Sequence, residues 1–245
     1  LRMPITLDRV EGQWLVSRVW PGGNHGLAMG DRIVSIDGVP IEKSAAELRS
    51  MTSGAGEGWI RWRVAGELAM CPNGVKLRKL EVERVAAPGT TRPVEVDCAP
   101  NKFKDQATYT EPRPEKSKEL EPGIWYVDLD RVTKDDWKAL VPKLEQSKGI
   151  IFDMRGYPSE PGITSLAHLS DNPLHSAKWN VPRMALPDRR EFTFRESGWP
   201  VQPLKPYLPA PRVFLIDGRA ISYAETVMGI VEHFKLGEIV GEPTA

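Results

Sequence analysis

Hydrophobic and polar positions along this chain follow two periods, and the change from one to the other divides it. Up to about residue 86 the period is mostly two. "WLVSRV" (Trp14 to Val19) alternates apolar and polar residues as a half-buried strand does. "GDRIVSIDGVPI" (Gly30 to Ile41) sets Ile33, Val34 and Ile36 in a strand that ends in a tight Asp37-Gly38 turn. "WIRWRV" and "VKLRKLEVERV" alternate as two further strands. "SAAELRSM" (Ser44 to Met51) switches to helical spacing, with Ser44 as the expected cap and a glutamate three residues on. Residues 1–86 are therefore expected to form a small, mostly-β domain with one short helix.

Residues 87–121 break both periods. Pro88, Pro93, Pro100, Pro112 and Pro114 punctuate them, and "KFKDQATYTEPRPEKSKELE" is charged with almost no apolar residue. Such a segment reads as a linker or an extended surface loop.

Over residues 122–245 strand and helix patterns alternate. "GIWYVDL" (Gly123 to Leu129) is a strand. "TKDDWKALVPKLEQS" is an amphipathic helix capped by Thr133, with Trp137, Leu140, Val141 and Leu144 on one face and Asp135 and Asp136 in its first turn. "GIIFDMRG" is a continuous apolar strand of the kind buried on both faces of a parallel sheet. "PRVFLID" and "AETVMGIVEHFKLG" repeat the strand–helix order, and "EIVGEPTA" begins one more strand. The order predicts an α/β domain, a parallel or mixed sheet covered by helices. The aromatic and proline-rich stretch from Trp179 to Pro211 carries turn signals and no clear helix, and suits a substrate-facing flap or a long surface excursion. Its arginines 183, 189, 190 and 195 suit an acidic peptide or a plain solvated surface.

Chemistry concentrates at "IDGRAISYAETVMG". Ser222 follows a buried strand and opens a helix, where free backbone N–H groups and the positive dipole end favour a nucleophile. The same "SYAE" is also S-x-x-E, a capping box in which Ser222 only satisfies helix donors and Glu225 is its N3 partner; Glu225, one turn from Ser222, is also the candidate to orient a base or substrate. The remaining titratable candidates are sparse. His25, His168, His175 and His233 form no metal-ligand spacing, so no metal or other cofactor is expected. His233 and Lys235 follow Ser222 in the same predicted helix, about 16 and 20 Å away at its rise per residue. His168 and His175 follow the "FDMRG" loop and remain candidates to approach the serine, beside ordinary core or surface roles.

Composition narrows the partners. Lys+Arg 33 balance Asp+Glu 33, with 40% hydrophobic residues, so no basic excess points to nucleic acid or an anionic membrane. No window is apolar enough to span a membrane. Cys71 and Cys98 suit one disulfide or two buried thiols. The chain begins at Leu1 without a signal-peptide pattern and reads as a fragment or a processed product.

Two resemblances follow from these segments. "GLAMGDRIVSIDGVPIE" resembles the central signature of bacterial PDZ domains. That resemblance implies that a polypeptide C-terminus adds as a strand along "MPITL" (Met3, Pro4, Ile5, Thr6, Leu7), against a helix containing Ala45 and Leu48. Residues 122–245 resemble the catalytic domain of the tail-specific (C-terminal processing) serine peptidases, with a Clp/crotonase-like fold. The likeness rests on "GIWYVDLDRV", "GIIFDMRGYPSEPG" and "VFLIDGRAISYAETVMGIVEHFKLGEIVGEPTA" in that order. It implies Ser222 as nucleophile, the Tyr223 amide as one oxyanion donor and, as the second, the amide of Ser159, which with Glu160 replaces the family's paired glycines; Gly156 is the substitute donor. It further implies a lysine or histidine base outside this chain, a C-terminally incomplete catalytic domain, unstructured polypeptide tails as substrates and a periplasmic or secreted location. The replaced glycines motivate the alternative, a non-catalytic peptide-binding protein on a degenerate peptidase scaffold.

Overall fold

The computed structural model describes residues 1–20, 26–100, 113–159, 161–184, 187–188 and 191–245. The chain divides into two compact units, Leu1–Arg113 with Ala245, and Pro114–Thr244. None of the described helices is long and apolar enough to cross a membrane.

The first unit is built on an antiparallel sheet. Strands β1 (Ile5–Val10), β2 (Gln13–Val19), β3 (Arg32–Ile36), β5 (Leu77–Glu83) and β6 (Thr91–Asp97) lie in that order, and the short β4 (Val39–Pro40) pairs with β3. Helices α1 (Ile41–Met51) and α2 (Glu57–Leu68) complete it. Alternate residues point inward, so Ile5, Leu7, Trp14, Val16, Ile33, Leu80, Val82, Val94 and Val96 share one buried cluster. Cys71 and Cys98 form a disulfide that ties the segment after α2 to the end of β6.

Three expectations are corrected here. "WIRWRV" is part of helix α2, because Val64, Ala65 and Leu68 bury one helical face in the core while Trp62 and Arg63 stay exposed on the other. Helix α1 starts at Ile41 with Pro40 as its N-cap residue and no side-chain cap, so Ser44 lies inside it. Residues 91–97, expected in the connector, pair along all of β5, since Val94 and Val96 alternate into the core. The later connector residues Ser117–Glu121 likewise form β7, on the edge of the second sheet.

The second unit is a mixed α/β fold. Its sheet has the order β15 (Glu238–Gly241), β14 (Arg212–Ile216), β9 (Gly149–Asp153), β8 (Ile124–Asp128), β7, parallel except for the β7–β8 pair. Helix α3 (Lys134–Glu145) connects β8 to β9, and α5 (Tyr223–His233) connects β14 to β15. Thr133 caps α3 in a capping box with Asp136. Trp137, Leu140, Val141 and Leu144 of α3 and Ala224, Val227, Met228 and Val231 of α5 join Phe152 and Phe214 of the sheet in one core. Between β9 and β14 the chain forms α4 (Pro161–Leu166), a short ribbon of β10 (Leu174–His175) with β13 (Pro200–Val201), and a hairpin of β11 (Trp179–Met184) with β12 (Phe192–Ser197).

Candidate active site

All parallel strands of the second sheet run the same way, so the loops after β8, β9 and β14 gather at their carboxyl ends. Each of those strands reaches an aspartate there, and each aspartate is gripped by an arginine of its own loop. Asp128 accepts from Arg131 Nε (2.6 Å), Asp153 from Arg155 Nη2 (2.6 Å), and Asp217 from Arg219 Nε (2.7 Å). Tyr126 Oη also donates to Asp153 (2.6 Å). Asp128 and Asp153 are fully buried. A buried carboxylate needs such partners, and in return the pairs hold the loop bases rigid. These residues were not singled out from the sequence; the signal was an Asp followed within three positions by Arg in "DLDR", "DMR" and "DGR".

The turn after β14 presents Ser222. Asp217 takes the Arg219 amide (2.9 Å) and the Ala220 amide donates to Asp217 O (3.0 Å), which folds the chain sharply before the helix. Ser222 then adopts φ 57°, ψ −105°, at the N-cap of α5, and is exposed. A non-glycine residue at positive φ is strained, and such strain concentrates where a side chain must be held out from a strand-to-helix turn. Its own amide donates to the Glu225 carboxylate at 2.6 Å. Its hydroxyl lies in the capping-box arrangement with the Glu225 amide but without the geometry of a side-chain cap hydrogen bond.

The loop after β9 is drawn to this turn by Tyr223. Its hydroxyl accepts from the Ile163 amide (2.8 Å), and its ring lies 5.9 Å from that of Tyr157. The approach is close enough that a Cβ on Gly162 would stand 3.0 Å from the Tyr223 hydroxyl. Burial raises the Tyr223 phenol above its ordinary value. Gly156 has φ +143°, and a Cβ there would lie 2.9 Å from Asp130 Oδ2. Among the described residues neither the Tyr223 nor the Gly156 amide has an acceptor.

Ser159 departs from the expected role. Its amide donates to Leu129 O at 2.7 Å, and its hydroxyl to Leu129 O (3.0 Å) and Val132 O. These bonds satisfy carbonyls of the β8–α3 loop and leave no Ser159 donor for an oxyanion. Glu160 lies outside the described residues, as do His25, Arg189 and Arg190.

The other histidines serve packing. His168 is buried, with Nδ1 2.9 Å from Pro206 O and its ring 5.8 Å from Trp137. His175 packs against His233 (5.7 Å) and Phe234 (5.1 Å), at the end of α5 opposite Ser222. Eleven helical residues separate Ser222 from His233, about 16 Å. Among the described residues no lysine or histidine hydrogen-bonds Ser222, and no cluster of side chains suits a metal ion.

In the first unit, β1 is an edge strand, as the peptide-groove expectation requires. The side chains of Met3, Pro4, Ile5 and Leu7 are nevertheless buried in the core, and Thr6 Oγ1 accepts from Ser17 Oγ. The Met3 amide donates to Ala69 O and the Pro4 carbonyl accepts from Trp20. The helix packed on β1 is α2 rather than α1. Ala45 is buried and Leu48 half-buried against the same core. Ala45 also lines a cleft of about 470 Å³ with Arg9, Trp14, Arg49, Glu57 and Ile60.

No protein-family model and no curated protein sequence matches this chain. Solved structures do match it. Mature CPAF aligns with a TM-score of 0.69 at 13% identity, covering 100% of this chain and 68% of that one. CPAF complexed with lactacystin aligns at 0.71 and 12% identity, covering 100% and 69%. A serine-to-alanine mutant of CPAF aligns at 0.72 and 14% identity, again covering 100% and 69%. The chain therefore shares the fold of CPAF.

Proposed function

We propose that this protein is a serine peptidase of the tail-specific type, with Ser222 as its nucleophile and polypeptides as its substrates. The observation that carries the reading is the conformation of Ser222: exposed, at positive φ on a strand-to-helix turn, and followed by an amide without an acceptor among the described residues. Acyl transfer requires a hydroxyl aimed at the carbonyl and donors aimed at the oxyanion. The Tyr223 amide, strengthened by the start of α5, is one donor and the Gly156 amide the other. Glu225 supports the turn through the Ser222 amide and does not take the proton. A lysine or histidine takes it, and none of the described ones is in place to do so. The fold shared with CPAF, whose serine mutant and lactacystin complex are among the matching structures, supports the reading without specifying the residues. The PDZ-like first unit takes free polypeptide C-termini along the β1 edge.

A fluorophosphonate probe tests this. The full-length protein should be labelled at Ser222, and Ser222→Ala should abolish labelling; equal labelling of both, or none of either, would reject the nucleophile. The second reading, a peptide-binding protein without catalysis, draws on the engaged Ser159 amide and predicts peptide binding with no labelling.

A further inference from the structure

Aromatic rings step away from the Ser222 turn in a continuous row. Tyr157 lies 5.9 Å from Tyr223, Tyr223 5.6 Å from Trp199, and Trp199 5.1 Å from Trp179. Tyr157 is 51% exposed, and Trp179 and Trp199 are each 38% exposed. The row is held open. The Trp199 amide donates to Ser176 Oγ (2.9 Å), its carbonyl accepts from the Ser176 amide (3.0 Å), and Ser176 is buried. Aromatic surface that is fixed yet uncovered, beside a candidate nucleophile, is surface kept for a ligand.

The row continues onto one face of the β11–β12 hairpin. The strand pleat puts Trp179, Val181 and Arg183 on one side, and the residues directly opposite, Ser197, Arg195 and Thr193, share it. Both arginines are exposed, and among the described residues neither has an ion-pair partner. The hairpin's Lys178–Glu196 pair places its carboxylate on the other face, opposite Asn180. In a chain of zero formal net charge this face is locally cationic.

We propose that the row is the recognition path for the polypeptide on which Ser222 acts. It selects a large apolar side chain beside Tyr223 and Trp199, and acidic side chains about four to six residues further along an extended segment. Apolar rings reward the first feature, and guanidinium–carboxylate pairing rewards the second. A basic segment is disfavoured by the same arginines, although aromatic rings alone would accept one. The direction of the path from Ser222 rests on the peptidase reading above.

The test uses the full chain carrying Ser222→Ala and blocked peptides with 4-fluorophenylalanine four residues before a Glu-Glu pair. Fluorine NMR titration reads both affinity and the ring-current shift of a stacked ring. Replacing Glu-Glu by Gln-Gln should weaken binding about tenfold, an advantage that Arg183→Gln with Arg195→Gln, or about 0.5 M salt, removes. Trp199→Ala should weaken the fluorophenylalanine peptide about tenfold and abolish its preference over the alanine peptide. The surface arginine pair keeps the test decisive if the tryptophan variant misfolds. Equal affinity for the Glu, Gln and Ala peptides overturns the path. Probe labelling of the wild type separates the two claims. Labelling without peptide discrimination overturns the path alone, and discrimination without labelling upholds the path while removing the nucleophile.

Discussion

The Tyr223 hydroxyl accepts the Ile163 amide at 2.8 Å, so the residue after Ser222 is bonded to the helix that follows the β9 loop. One side chain thereby sets the spacing between the Ser222 turn and the loop that holds Gly156. Tyr223→Phe removes the acceptor and leaves the Ile163 amide unpaired, at a cost of about 1–3 kcal/mol. Probe labelling should slow while the protein remains folded, which circular dichroism and a labelling time course would check. A variant labelled at the wild-type rate would separate the loop from the chemistry.

Ser222 itself carries strain. Glycine adopts its φ of 57° freely, so Ser222→Gly should raise stability by about 1 kcal/mol while abolishing labelling. Ser222→Ala, which keeps the Cβ, should give no such gain. Denaturant melts of the two variants decide it.

Asp153 is fully buried between Arg155 and Tyr126. Asp153→Ala leaves the part-exposed Arg155 guanidinium and the buried Tyr126 hydroxyl without that carboxylate, and about 1–3 kcal/mol should be lost. Urea unfolding followed by tryptophan fluorescence measures it, and a loss below about 1 kcal/mol would show that water replaces the carboxylate.

The Lys116 ammonium, then the Thr133 amide and hydroxyl, hold the Asp136 carboxyl at about 2, below its ordinary 3.8. A depressed folded value means the contribution is complete above 3.8 and fades as pH falls towards 2. Wild type should therefore lose more stability than Asp136→Asn between pH 4 and pH 2, a window set by those two values. Thermal melts across that range test the sign.

The Cys71–Cys98 bond closes a loop with a sequence separation of 27. Replacing both cysteines by serine should cost about 3 kcal/mol, mainly by freeing the unfolded chain. Comparing denaturation of the variant with that of the oxidised wild type measures the loss.

The strand–helix order of the second unit was readable because each element there carries its own signal. Apolar runs mark β9 and β14, Thr133 and Asp136 cap α3, and Trp137, Leu140, Val141 and Leu144 keep one period throughout. Helix α2 was not readable in the same way. "WIRWRV" alternates over six residues, and only the burial of Val64, Ala65 and Leu68 beneath the sheet selects the helical period. Helix α2 occupies the place on β1 expected of the helix that contains Ala45 and Leu48.

The sequence by itself determined that a serine stands between a buried strand and an amphipathic helix, since spacing and capping residues are local properties. Only the tertiary structure decided what surrounds that serine. The positive φ of Ser222, the loss of the Ser159 amide to Leu129 and the remoteness of His175 depend on how separate segments meet. The row from Tyr157 through Tyr223 and Trp199 to Trp179 draws on four distant positions. Hydrogen bonds and ring contacts between such positions are set by the sheet order, and no local period encodes them.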